Sequence, residues 1–116
     1  MTVNEFLKKT RKGTLLSGYE WIGVRNRIIC KDGFNVSVQA SKTHYCSPRD
    51  NNGPYDAVEL GFPSRTMGKA FNEYKDDSRS RQTDTVFAYV PVYLIEELLA
   101  KHGGIIGMLT YIKEEQ

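Results

Sequence analysis

The chain has 116 residues, 16 of them basic and 14 acidic, for a formal net charge of +2. That length suits one domain with its own core, able to bury roughly two-thirds of its unfolded surface. The balanced charge excludes a polyanionic DNA mimic and a global basic field for nucleic acid, so direct nucleic-acid binding is not expected, and a composition of 40% hydrophobic and 26% charged residues excludes general disorder.

Along the chain, Val3, Phe6 and Leu7 share one face of a short amphipathic helix. Thr2 is placed to cap it, Glu5 completes a capping box, and Gly13 is placed to end it. From Leu15 to Gln39 the pattern becomes strand-like, with Tyr19, Trp21, Val24, Ile28 and Ile29 as strand formers and Gly18 and Gly23 as interruptions or bulges. Asp32-Gly33 supplies the positive φ of a tight turn. Phe34, Val36, Val38 and Ala40 then alternate with Asn35, Ser37 and Gln39, the pattern of a half-buried antiparallel strand.

Turn chemistry at Asn51-Asn52-Gly53-Pro54 precedes a strand over 55–62, in which Tyr55, Ala57 and Glu59 share one face. Ser64 is placed to cap a helix carrying Met67, Ala70, Phe71 and Tyr74. Residues 75–84 read as an exposed loop and 85–89 as another strand. Pro91 marks the start of a helix with Val92, Ile95, Leu98 and Leu99 on its apolar face, stopped at His102-Gly103-Gly104. Residues 105–112 are apolar enough for a last strand. The expected architecture is a single α+β domain over 1–116, a central antiparallel sheet of four to five strands with two or three helices on one side.

Chemistry concentrates in one loop, where His44, Tyr45, Cys46, Ser47, Pro48 and Arg49 follow one another. Arg49, held after a proline, presents a planar fork suited to a phosphate or carboxylate, or else ties the loop to Glu59 or to backbone carbonyls. Tyr45 and Tyr55 are candidate stacking surfaces, Tyr89 lies at a strand end near them, and His44 and Ser47 offer directional hydrogen bonds. His44 and Cys46, two apart in an extended segment, could share a face as base and nucleophile. Burial of Cys46 as a small apolar residue is the alternative. The basic residues also cluster: Lys8, Lys9, Arg11, Lys12, Arg25, Arg27, Lys31 and Lys42 all precede Arg49, which reads as a solvated face or as a local anion-binding patch.

Cys30 and Cys46 lack C-x-x-C spacing, and with His44 and His102 they form only a loose set beside the four ligands that zinc takes. No metal and no cofactor are expected. No hydrolase, phosphate-loop or dinucleotide motif occurs, so no enzyme activity is expected. No apolar run approaches the roughly 18 residues of a membrane span and no secretory signal is recognised, which makes a cytoplasmic, membrane-free setting with reduced thiols the expectation.

The segments SVQAS (37–41), HYCSPR (44–49), YDAVELGFPS (55–64), TDTVFAYVP (83–91) and HGGI (102–105) together resemble a family of small uncharacterised proteins of bacteriophage and prophage genomes. The resemblance implies a phage-type setting in a host-cell cytoplasm, where small accessory proteins often counter host defence, and it brings no activity with it. Three readings follow. The first is a host-defence antagonist that sequesters an anionic, nucleotide-like ligand in a loop-lined pocket, held by His44, Tyr45, Ser47, Arg49, Tyr55 and Glu59. The second is a protein–protein inhibitor of a CRISPR or restriction effector, acting through exposed aromatic and arginine residues. The third is a small Cys/His hydrolase using Cys46 and His44. A homodimer is expected, paired through an exposed sheet edge, because so small a domain builds no deep cavity alone.

Overall fold

The computed structural model describes residues 1–11, 13–16, 19–22 and 24–109. Helix α1 (Val3–Lys9) starts as its sequence dictates. Thr2 Oγ1 accepts from Glu5 N, and Glu5 Oε1 accepts from Thr2 N at 2.7 Å. It ends at Thr10, three residues before Gly13, because Thr10 N and Thr10 Oγ1 both turn back to Phe6 O. Gly13 instead opens β1 (Gly13–Leu16), which pairs antiparallel with β2 (Tyr19–Ile22) as a separate two-stranded ribbon. The expectations for Gly18, Gly23 and the tail beyond residue 109 lie outside the described residues, as does Lys12.

The main sheet contains β3 (Arg27–Cys30), β4 (Asn35–Gln39), β5 (Ala57–Gly61), β6 (Val86–Pro91) and β7 (Ile105–Leu109), in the order β6-β5-β4-β3-β7. All neighbouring pairs are antiparallel. Side chains directly opposite each other share a face. The register therefore places Ile28 with Val36, Val38 with Leu60, and Val58 with Val90 on the buried face. Gln39 opposite Glu59 and Asn35 opposite Ile29 form the other, largely polar face. Against the apolar face pack Val3, Phe6 and Leu7 of α1 and Ile95, Leu98 and Leu99 of α2 (Val92–Lys101). Val3 N donates to Glu96 Oε2 and so joins the two helices. The result is the expected α+β arrangement, a five-stranded antiparallel sheet with two helices.

Two expectations need correction. The strand expected over 55–62 pairs only as Ala57–Gly61, because Tyr55 is bonded to α1 and Phe62 turns out with a φ of 49°. The helix expected after Ser64 is a 3-10 segment, Lys69–Tyr74. Gly68 at φ 101° breaks the earlier turn, and Ser64 Oγ accepts from Asn35 N instead of capping. Met67 and Phe71 still reach the core. The end of α2 follows expectation: Gly103 N donates to Ala100 O and Gly104 N to Leu99 O, both glycines at positive φ.

Candidate functional site

Between β4 and β5 the chain makes a long excursion, and its two limbs do different things. The first limb carries most of the expected site. His44 Nδ1 lies 2.7 Å from Ser41 Oγ, and burial pushes its imidazole below the ordinary value against the opposing pull of Glu59. Tyr45 N donates to Glu59 Oε1 at 3.0 Å, and Tyr45 O accepts from Tyr89 N. The two tyrosine rings stand 5.9 Å apart, and the Arg49 guanidinium lies 5.4 Å from the Tyr45 centroid. Tyr45 is 43% and Tyr89 45% exposed. Arg49 is exposed and pairs with no carboxylate among the described residues, so it ties down neither Glu59 nor a carbonyl.

Tyr89 is aimed by the sheet itself. Ala88 and Tyr89 together oppose Glu59, a bulge in β6 against β5, and Tyr89 takes a φ of 54°. Bulges re-aim side chains in this way. Ser47 takes part through its backbone, which bridges to Ala57. Cys46 is fully buried, and its thiol donates to Ser41 O at 3.2 Å while burial raises its pKa. A buried, protonated thiol whose hydrogen is spent on a carbonyl, beside an imidazole engaged with Ser41, is poorly placed for nucleophilic chemistry.

The second limb builds a cleft. Residues 51–55 face α1 across a cavity of about 710 Å³, lined from the helix side by Asn4, Glu5, Leu7, Lys8 and Arg11, with Arg25 at its base. Asn4 and Lys8 are one helical turn apart and share a stripe. Asn4 clamps the two walls: its Oδ1 accepts from Tyr55 N at 2.7 Å and its Nδ2 donates to Tyr55 O at 3.0 Å. Arg11 Nε donates to Asn51 O at 2.6 Å. Tyr55, an expected ligand residue, lines this cleft, but its ring is 4% exposed and packs on Gly53, and its hydroxyl donates to Asp50 O. It contributes wall rather than an open stacking face. None of the other five expected residues lines the cleft.

Arg25 is 3% exposed. Its Nε donates to Thr10 Oγ1, one Nη to Ala40 O and the other to Leu7 O, all neutral acceptors. Among the described residues no carboxylate neutralises it. Burial lowers its pKa, but an arginine starts so high that it stays charged. The described lining of the cleft thus includes Lys8, Arg11 and Arg25 together with Glu5, whose carboxylate pKa is lowered by its bond to Thr2 N.

The clustering of basic residues before Arg49 was the sequence signal for this site, although it did not separate Lys8, Arg11 and Arg25 from the remainder. Asn51 gave no signal, since Asn-Asn-Gly-Pro reads as a turn. A second cluster was also missed. His102 Nδ1 lies 2.7 Å from Asp32 Oδ2, Arg65 pairs with the same carboxylate at 3.2 Å, and the His102 ring stacks on Phe34 at 4.2 Å. The Phe34 N–H first, then His102, hold Asp32 down to a pKa of about 2. This group clips the β3–β4 turn to the end of α2. Among the described residues no three metal-ligating side chains converge, and no helix is long and apolar enough to cross a membrane. No protein-family model, curated protein or solved structure matches the chain.

Proposed function

We propose that this protein is a non-enzymatic binding protein that holds an anionic small molecule in the cleft between α1 and residues 51–55. One observation carries the reading: Arg25, a buried cation held by neutral acceptors alone among the described residues, shares with Lys8 the lining of a cavity of about 710 Å³, a size within the roughly 300–1,000 Å³ of ordinary ligand sites. The Asn4–Tyr55 clamp supports it further, because walls tied together before binding lose little freedom when a ligand enters. A nucleotide-like signal, sequestered to blunt a host defence, is the ligand class that the phage-type sequence pattern favours. Isothermal titration against nucleotides and inorganic anions is the test. Binding near micromolar, weakened about tenfold or more in the double variant Lys8→Ala, Arg11→Ala, is expected; no binding of any anion would overturn the reading.

The exposed Tyr45, Tyr89 and Arg49 favour a second reading, a protein–protein inhibitor, since these are the residue types that dominate interface energetics. In that case Tyr45→Ala, Tyr89→Ala would abolish stoichiometric capture of a host protein while leaving anion binding in the cleft intact. Capture that survives both substitutions sinks it.

A further inference from the structure

We infer that Asn51 is the residue that reads the ligand in the cleft: its side-chain amide is a fixed, neutral donor that takes an oxygen of an oxyanion. The inference rests on the anion-binding reading above and names the group that gives the site its direction.

The wall formed by residues 50–55 is largely occupied with itself. Asp50 Oδ1 accepts from Asn52 N and Gly53 N, and Asp50 O accepts from the Tyr55 hydroxyl. Tyr55 N and Tyr55 O are both engaged by Asn4. Asn51 is tied on two sides: its O accepts from Arg11 Nε at 2.6 Å, and its Oδ1 accepts from Lys42 N at 3.0 Å. Arg11 serves here as a tether of the wall.

The Asn51 amide nitrogen is left over. The residue is 4% exposed, and its Nδ2 donates to nothing among the described residues. No fully enclosed side-chain nitrogen or oxygen among them lacks a partner, so this nitrogen keeps a small opening, and Asn51 lines the cleft. A nearly buried donor without an acceptor is costly, because burial has removed most of its water. An acceptor entering the cleft removes that cost. The direction is set as well. A backbone N–H requires an oxygen opposite it, so the Lys42 bond settles which end of the amide is nitrogen, and pinning Oδ1 of a planar group fixes where Nδ2 points.

The partner for a neutral N–H beside a buried cation is an oxyanion. Arg25 gives three of its five N–H groups to neutral acceptors and has no carboxylate partner among the described residues. It attracts negative charge from the base of the cleft. Asn51 adds what charge alone lacks, a demand for a lone pair along a set line. A carboxylate, a phosphate or a sulfonate meets that demand; a spherical halide meets only the charge.

The experiment titrates the intact, isotope-labelled protein with inorganic phosphate, a nucleoside 5′-monophosphate, a dicarboxylate and iodide. Calorimetry gives the affinities, and NMR follows the Asn51 side-chain NH2 signals. The best oxyanion should bind about tenfold or more tighter than iodide, and the phosphate and carboxylate arms identify which oxyanion it is. The Asn51 amide protons should move downfield along the same saturation curve as the heat. Asn51→Asp keeps an oxygen for Lys42 N but removes the donor, and should cut oxyanion affinity about a hundredfold with the melting temperature little changed. Asn52→Asp puts the same charge on an exposed neighbour in the same lining, and should cost about threefold or less. The gap between the two variants measures the donor rather than the charge. The NMR readout needs no variant, so it holds even where Asn51→Asp unfolds. Oxyanion binding with the Asn51 signals unmoved, equal losses in the two Asp variants, or iodide bound as tightly as every oxyanion each overturns the role of Asn51 and leaves the anion-binding cleft standing. No binding by any of the four overturns both.

Discussion

Arg25 and Arg49 both belong to the basic half of the chain, yet the fold treats them in opposite ways. Arg25 is buried, committed to three backbone or hydroxyl acceptors, and immobile; Arg49 is exposed and rests only on the face of Tyr45. The two limbs of the excursion between β4 and β5 divide along the same line. One displays exposed side chains beside a bulged edge strand, and the other encloses hydrogen-bonded side chains against a helix. Residue type does not distinguish the two arginines; the supply of neutral acceptors does. A cation satisfied by carbonyls keeps its full charge for a ligand, whereas one paired with a carboxylate would not.

The contrast is breakable. Arg25→Ala should produce the largest effect, because it strands Leu7 O, Ala40 O and Thr10 Oγ1: a loss of about 3–5 kcal/mol in urea unfolding. A loss below about 1 kcal/mol would mean that Arg25 is not the fixed base of the cleft. Asn4→Ala comes next. It removes both bonds to Tyr55, for about 1–2 kcal/mol, and should also speed ligand release by loosening the walls. Arg49→Ala should change stability by less than about 1 kcal/mol, the size of an exposed cation–π contact, and leave cleft affinity unaltered. Binding lost in that variant would move the site to the first limb.

Acid titration separates the first limb from the Asp32–His102 clip more gently. His44 is held below its ordinary 6.5, so the unfolded chain binds the extra proton more readily. Its contribution to stability is therefore complete above about pH 6.5 and declines below it. Asp32, lowered from 3.8 to about 2, contributes fully above about pH 4 and loses its share only as the pH falls toward 2. Two acid phases are expected in stability against pH, the upper absent in His44→Gln and the lower in Asp32→Asn. One phase common to both variants would contradict the assignment.

Much of this architecture is written in short-range chemistry. The Thr2–Glu5 box, the Asp32-Gly33 turn, the alternation from Phe34 to Ala40 and the Gly103-Gly104 stop all act within a few residues, and all appear as the sequence implies. The helix expected after Ser64 failed for a reason that is also local in part: Met67, Phe71 and Tyr74 have helical spacing, but Gly68 accepts a positive φ and Ser64 is claimed by Asn35, far away in sequence. The site is harder to read because its parts meet only through tertiary structure. The loop from His44 to Arg49 is conspicuous since its reactive residue types are consecutive. The cleft draws instead on residues 4–11, 25 and 51–55, and its most telling atom belongs to an asparagine inside a turn motif.

The Asn4 clamp has a kinetic consequence. Its partner Tyr55 lies 51 residues along the chain, and the neighbouring Val3 N–H waits for Glu96, 93 residues away. Contacts of such separation close late in folding, after local turns and hairpins. The walls of the cleft therefore exist only in molecules that have finished folding, and anything bound there draws on that population alone. Ligand concentration and the folding equilibrium become a single linked variable, so saturating occupancy would raise the midpoint of global unfolding rather than protect one corner of the protein.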